Sequence, residues 1–211
     1  MRTARLTAVT VLVAATAAAQ PARRASIIQA EDRRAPTARD LAVIRAGARS
    51  TDVDTARVAV RALGRLERPA LVADIAASLR STFPEVRAEA ANALGQAVAP
   101  LAGEDGRVAA PVETVATQLI DRLRVESDPD VRSAIFETLG RLPYSTTAQA
   151  GRAASSLVDA LDGDEVSVPE RLGVAKGLEA LLRLHGKLLE PDARIASALA
   201  GLALVPGSQR A

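Results

Sequence analysis

A chain of 211 residues has room for one or two domains. It is 48% hydrophobic but only 1% aromatic, with two Phe, one Tyr and no Trp, so its core must be built from Ala, Leu and Val, and few large anchors are left for stacking on nucleobases. The 27 basic and 25 acidic residues nearly balance and cysteine is absent, which excludes a polycationic nucleic-acid or membrane surface and any disulfide or thiolate–metal framework.

Arg2 and Arg5 open the chain, Leu6–Ala19 is an uncharged run of small and apolar residues, and Ala17-Ala18-Ala19 precedes Gln20. Residues 1–19 therefore read as a secretory signal peptide, too short for a spanning helix of about 20 residues. Removing the two arginines would balance the remaining charge, so the sequence pI of 9.6 carries no case for an anionic partner. The expected setting is exported, periplasmic or extracellular, with no membrane attachment after cleavage. Without a cysteine at the cleavage point no lipid anchor is expected.

Residues 20–50 are expected to hold a linker and N-terminal capping helices. Gln20–Ala25 reads as polar linker, Ser26–Arg34 as a short helix stopped by Pro36, and Thr37 as the N-cap of a helix from Ala38 to Ala48, with Asp40 three residues on. A solenoid of about four units is then expected over residues 51–205. Asp54–Leu66 reads as a helix with Val58, Ala59, Ala62, Leu63 and Leu66 inward, and Ala70–Leu79 as its partner, with Leu71, Ile75 and Leu79 in one stripe. Phe83-Pro84-Glu85-Val86-Arg87 opens the next unit. A Gly/Pro/acid insertion follows at Ala99–Pro111, then a helix over Val112–Leu123. Asp128 caps and Pro129 starts a helix to Leu142, and Ala148–Leu161 follows it. Pro169-Glu170-Arg171 opens the last unit, whose first helix reaches His185 with Gly186 as C-cap; a final helix starts at Pro191-Asp192, and residues 206–211 are a tail.

One phrase recurs through these units: Ala62-Leu63-Gly64, Ala93-Leu94-Gly95, Thr138-Leu139-Gly140 and the weaker Gly177-Leu178-Glu179. Recurrence every 30 to 45 residues or so is the mark of stacked helix pairs. The fuller pattern, acid-x-Val-Arg and then Ala-x-x-Ala-Leu-Gly, stands as Glu85-Val86-Arg87…Ala93-Leu94-Gly95 and Asp130-Val131-Arg132…Leu139-Gly140. It resembles the short bacterial HEAT repeats, including those named for phycobilisome lyases. In the first unit Arg57 is displaced by one position, and in the fourth Glu179 replaces the glycine. The resemblance implies an all-α, right-handed superhelix of HEAT/armadillo type. Glu31-Asp32-Arg33-Arg34-Ala35-Pro36 and Ala62-Leu63-Gly64-Arg65-Leu66-Glu67-Arg68-Pro69 are also similar to the N-terminal region of exported proteins that join HEAT repeats to a cyclophilin-type peptidyl-prolyl isomerase. No strand-rich isomerase stretch follows here.

Catalytic chemistry finds little support. His185 is the only histidine and reads as a helix-end residue favoured beside the negative terminus rather than as a general base. Asp162-Gly163-Asp164-Glu165 lacks the spacing of a calcium loop, and Gly103-Glu104-Asp105-Gly106 lacks the Gly-Lys-Ser/Thr of a phosphate loop; no metal or cofactor is expected. Arg87, Arg132 and Arg171 recur at one repeat position and are expected to pair with acids such as Asp128, Asp130 and Asp164.

What remains is surface. With the second helix of each unit lining the concave side, Asp74, Gln118 and Ser156 fall in one row, Asp121 and Asp159 in another, and Arg122 and Arg152 lie nearby. These seven are the expected contacts to a partner. The expected function is a non-catalytic scaffold for another protein. The alternative is the accessory region of a peptidyl-prolyl isomerase whose catalytic domain is absent from this chain. The C-terminal repeat, with little polar capping at Val205–Ala211, is expected to self-associate or to lack a further element.

Overall fold

A computed structural model describes residues 20–102, 109–163, 165–189 and 193–203. The expected signal peptide, the core of the insertion at 103–106, Asp164, Pro191-Asp192 and the tail lie outside the described residues. Within them the chain is helical and carries no strand. Ten helices follow in order: α1 (20–32), α2 (Ala38–Ala48), α3 (Val53–Arg65), α4 (Val72–Ala76), α5 (Pro84–Val98), α6 (Ala109–Leu123), α7 (Pro129–Arg141), α8 (Thr147–Asp159), α9 (Val168–His185) and α10 (Ala193–Ala203).

Local chemistry sets these boundaries. The Thr37 hydroxyl accepts the Asp40 amide at 3.1 Å, the Asp52 carboxylate accepts the Thr55 amide at 2.9 Å, and Asp128 accepts the amides of Asp130 and Val131. Ser167 and Glu170 form a reciprocal capping box at the start of α9. Two expectations change. Residues 20–25 are already helical rather than linker. The helix expected over Ala70–Leu79 is a short α-helix wound tighter at both ends, with 3-10 turns at Pro69–Leu71 and Ala77–Arg80. Leu71, Ile75 and Leu79 are nonetheless all buried, as their stripe requires.

The helices pair into five units, α1/α2 to α9/α10, and form two layers. The odd-numbered helices make the first layer and the even-numbered ones the second. Leu63, Leu94, Leu139 and Leu178 of the recurring phrase are fully buried, each stabilising by about 2 kcal/mol. The glycine of each phrase meets the phrase of the next unit. A Cβ on Gly64 would stand 2.7 Å from the Ala93 Cα, and one on Gly95 would stand 2.9 Å from the Thr138 Cγ2. One on Gly140 would fall on the Gly177 carbonyl. The phrase thus fixes register as well as spacing: the last residue of one copy sits on the first residue of the following copy.

Gly140→Ala has no flexible side chain to push aside, so it should destabilise by about 2–3 kcal/mol in urea unfolding. Gly151→Ala, in the middle of α8 with open space around it, should instead stabilise by about 0.5–1 kcal/mol. Equal effects at the two positions would contradict the close approach.

Candidate partner-binding surface

Cross-repeat ion pairs and hydrogen bonds run along both layers. In the first, Arg61 grips Glu89, Arg141 donates to Asn92, and Lys176 stands 3.6 Å from Glu137. In the second, Arg45 donates to Asp74, Arg152 to Glu113 and Arg194 to Asp159.

Two of the recurring arginines, Arg87 and Arg132, tie units together, but their acids are not the expected ones. Arg87 pairs with Glu126, at 2.8 Å from both Nε and Nη2. Arg132 pairs with Glu170 at 2.5 Å. Asp128 is held instead by its capping bonds, and Arg171 lines a cleft between α8 and α10. Glu126, with a side chain 1% exposed, is the node. It also accepts from Arg122 and from the amides of Ser127 and Asp128. Burial alone would raise its pKa; the hydrogen bonds from Arg87, the Asp128 amide and Arg122 outweigh burial and hold it at about 2. Glu126 was not among the expected acids. Its only sequence signal is an acid four residues after Arg122 and just before an N-cap.

Two turns interlock near the N-terminus. Arg34 donates to the carbonyls of Arg65 and Leu66, while Arg68 donates to those of Arg34 and Ala35. Both turns carry left-handed residues, Arg34 (φ 60°) and Glu67 (φ 55°), a conformation that costs non-glycine residues about 1 kcal/mol or more. The reciprocal arginines hold it in place.

His185 does not sit free at its own helix end. It is buried, its Nε2 donates to the Leu142 carbonyl at 2.8 Å, and its ring meets Tyr144 edge-on at 5.4 Å. Tyr144 in turn donates to the Leu139 carbonyl. The two side chains thereby satisfy carbonyls at the end of α7 that a helix terminus leaves open. Burial lowers the pKa of His185, partly offset by the carbonyl bond.

The seven expected contact residues lie on α4, α6 and α8 of the second layer, but the fold uses most of them internally. Asp74, Arg122, Arg152 and Asp159 are counter-ions of Arg45, Glu126, Glu113 and Arg194. Ser156 donates to the Arg152 carbonyl in its own helix. Asp121 is exposed and pairs only with exposed Arg124. Gln118 differs: its Oε1 is buried and accepts no hydrogen bond.

The second layer also stands open. Where first-layer helices touch at their backbones, α2 and α4 leave between them a cleft of ≈ 400 Å³ lined by Arg45, Asp74 and Phe83 among others. Among the described residues no group of three or more His, Cys, Asp or Glu could hold a metal, and no helix is long and apolar enough to cross a membrane.

Because the folded pKa of Glu126 lies below its usual value, its stabilisation is complete above about pH 4.5 and is lost as pH falls towards 2. Glu126→Gln should cost about 3 kcal/mol at pH 7. In urea unfolding the gap between wild type and variant should narrow at about pH 3. A gap that does not change with pH would contradict the ionic node.

The family model for HEAT repeats matches residues 41–140. No curated protein matches the chain. The matched stretch covers α3, α5 and α7 with their first two inter-repeat glycine contacts, and the same stacking continues into α9. The chain is therefore an all-α solenoid, and its residues 41–140 match the family model for HEAT repeats.

Proposed function

We propose that the chain is a non-catalytic scaffold that binds another protein, and that it works outside the cytoplasm. HEAT repeats generally serve protein–protein interaction, and the open second layer supports that reading here. One observation carries it: between α2 and α4 the second layer keeps an open cleft of ≈ 400 Å³, where the first-layer helices close up at their glycines. Gln118, Asp121 and Ser156 are the centre of the contact set, and the paired Asp74, Arg122, Arg152 and Asp159 frame it. The charged start and apolar run of residues 1–19 support export.

The alternative, an accessory region of a peptidyl-prolyl isomerase, rests on segments 31–36 and 62–69. These segments clasp each other through Arg34 and Arg68, which accounts for them by packing and favours the scaffold reading. Self-association through the C-terminal pair belongs to the proposal as well. Val168 and Leu172 are exposed on α9, while Glu179 stands where earlier units place a contact glycine, so a second copy would dock without continuing the stack.

In an affinity capture from cell-envelope extract, the wild-type chain should retain a partner. Gln118→Arg/Asp121→Arg should lower retention about tenfold with unchanged helicity. Retention unaffected by that variant would overturn the contact set, and the absence of any retained protein would overturn the scaffold reading.

A further inference from the structure

The cleft between α2 and α4 arises where the inter-repeat ladder is interrupted. Counting back by the repeat interval, the position of Arg87 in the preceding unit is Ala56, and that of Glu126 is Ser81. The pair that fills the next gap is therefore replaced by two small residues, and both line this cleft. Its sides are two copies of one turn, Arg49-Ser50-Thr51 and Arg80-Ser81-Thr82. Each serine oxygen accepts the amide two residues on, Asp52 at 3.1 Å and Phe83 at 3.2 Å, which leaves each hydroxyl proton free to donate.

Charge here is one-sided. Asp74 is neutralised by Arg45 through bonds of 2.7 and 2.9 Å. Arg49 and Arg80 line the same cleft, and neither has an acidic partner among the described residues. The lining also includes the apolar residues Ala56, Leu63, Ala77 and Phe83, of which Ala56 and Leu63 are buried. A volume of ≈ 400 Å³ lies within the range of ligand pockets, about 300–1,000 Å³. Residues 20–102 hold more basic than acidic residues and the remainder of the solenoid holds fewer, so the long-range field points an anion to this end.

We propose that this cleft binds an acidic peptide segment of the partner protein, with carboxylates on Arg49 and Arg80 and an adjacent aliphatic side chain on the apolar part of the lining. The inference rests on the scaffold reading and adds the chemistry of the bound segment.

A fluorescein-labelled hexapeptide of alternating Glu and Leu, followed by fluorescence anisotropy with the full chain, tests it. The Glu-Leu peptide should bind, more weakly as salt rises, and the matching Lys-Leu peptide should not. Arg49→Glu/Arg80→Glu should weaken binding at least about tenfold, whereas Arg124→Glu/Arg183→Glu, on distant exposed arginines, should not. Ala56→Arg/Ser81→Glu rebuilds the missing pair, so it should close the cleft and abolish binding while keeping the helical circular dichroism signal. Equal binding of both peptides, no binding of the acidic one, or occupation by inorganic phosphate without peptide binding would overturn the proposal. So would an envelope capture that retains its partner with Arg49→Glu/Arg80→Glu as well as with wild type; that outcome would leave the scaffold reading standing.

Discussion

The structure depends on how closely neighbouring first-layer helices approach. That distance is set by glycines: Gly64, Gly95 and Gly140 each leave room for the backbone or small side chain that begins the next phrase. With only three aromatic residues in the chain, large side chains cannot fill a wider gap. Small residues and close helices are two sides of one solution. Glu179 breaks the series at the last unit, and its bond to Arg183 at 2.9 Å gives α9 a charged outer position where a further repeat would need a glycine.

Electrostatics comes second and follows from the first. Once helices stand in register, arginines of one unit reach acids of the next, and most such pairs are exposed enough to contribute little. Glu126 is the exception: its two arginines and two amides make removal of the carboxylate costly. The same register brings His185 and Tyr144 over the open carbonyls of α7, a use of the lone histidine that has nothing to do with proton transfer. Where the ladder lapses, at Ala56 and Ser81, a cleft opens instead.

Much of this was legible in the sequence. The Leu-Gly phrase, the caps at Thr37 and Asp128 and the stripe of Leu71, Ile75 and Leu79 are local signals, and each element they mark is present. What escaped depends on contacts between residues far apart in the chain. Glu126 lies 39 positions from Arg87, and nothing in the turn itself says that it is buried. The arginine displaced to position 57 was visible as a departure from the pattern; that it leaves a space beside two Arg-Ser-Thr turns appears only when the units are stacked. The seven expected surface residues lie on α4, α6 and α8, but sequence spacing alone could not say that Asp74, Arg152 and Asp159 answer a charge in a neighbouring unit.

The register of the glycines can be observed directly by nuclear magnetic resonance on the isotopically labelled chain. Interhelical cross-peaks should join the α-protons of Gly140 to those of Gly177, and those of Gly64 to that of Ala93. Glycine α-protons that show cross-peaks only within their own helices would contradict the account.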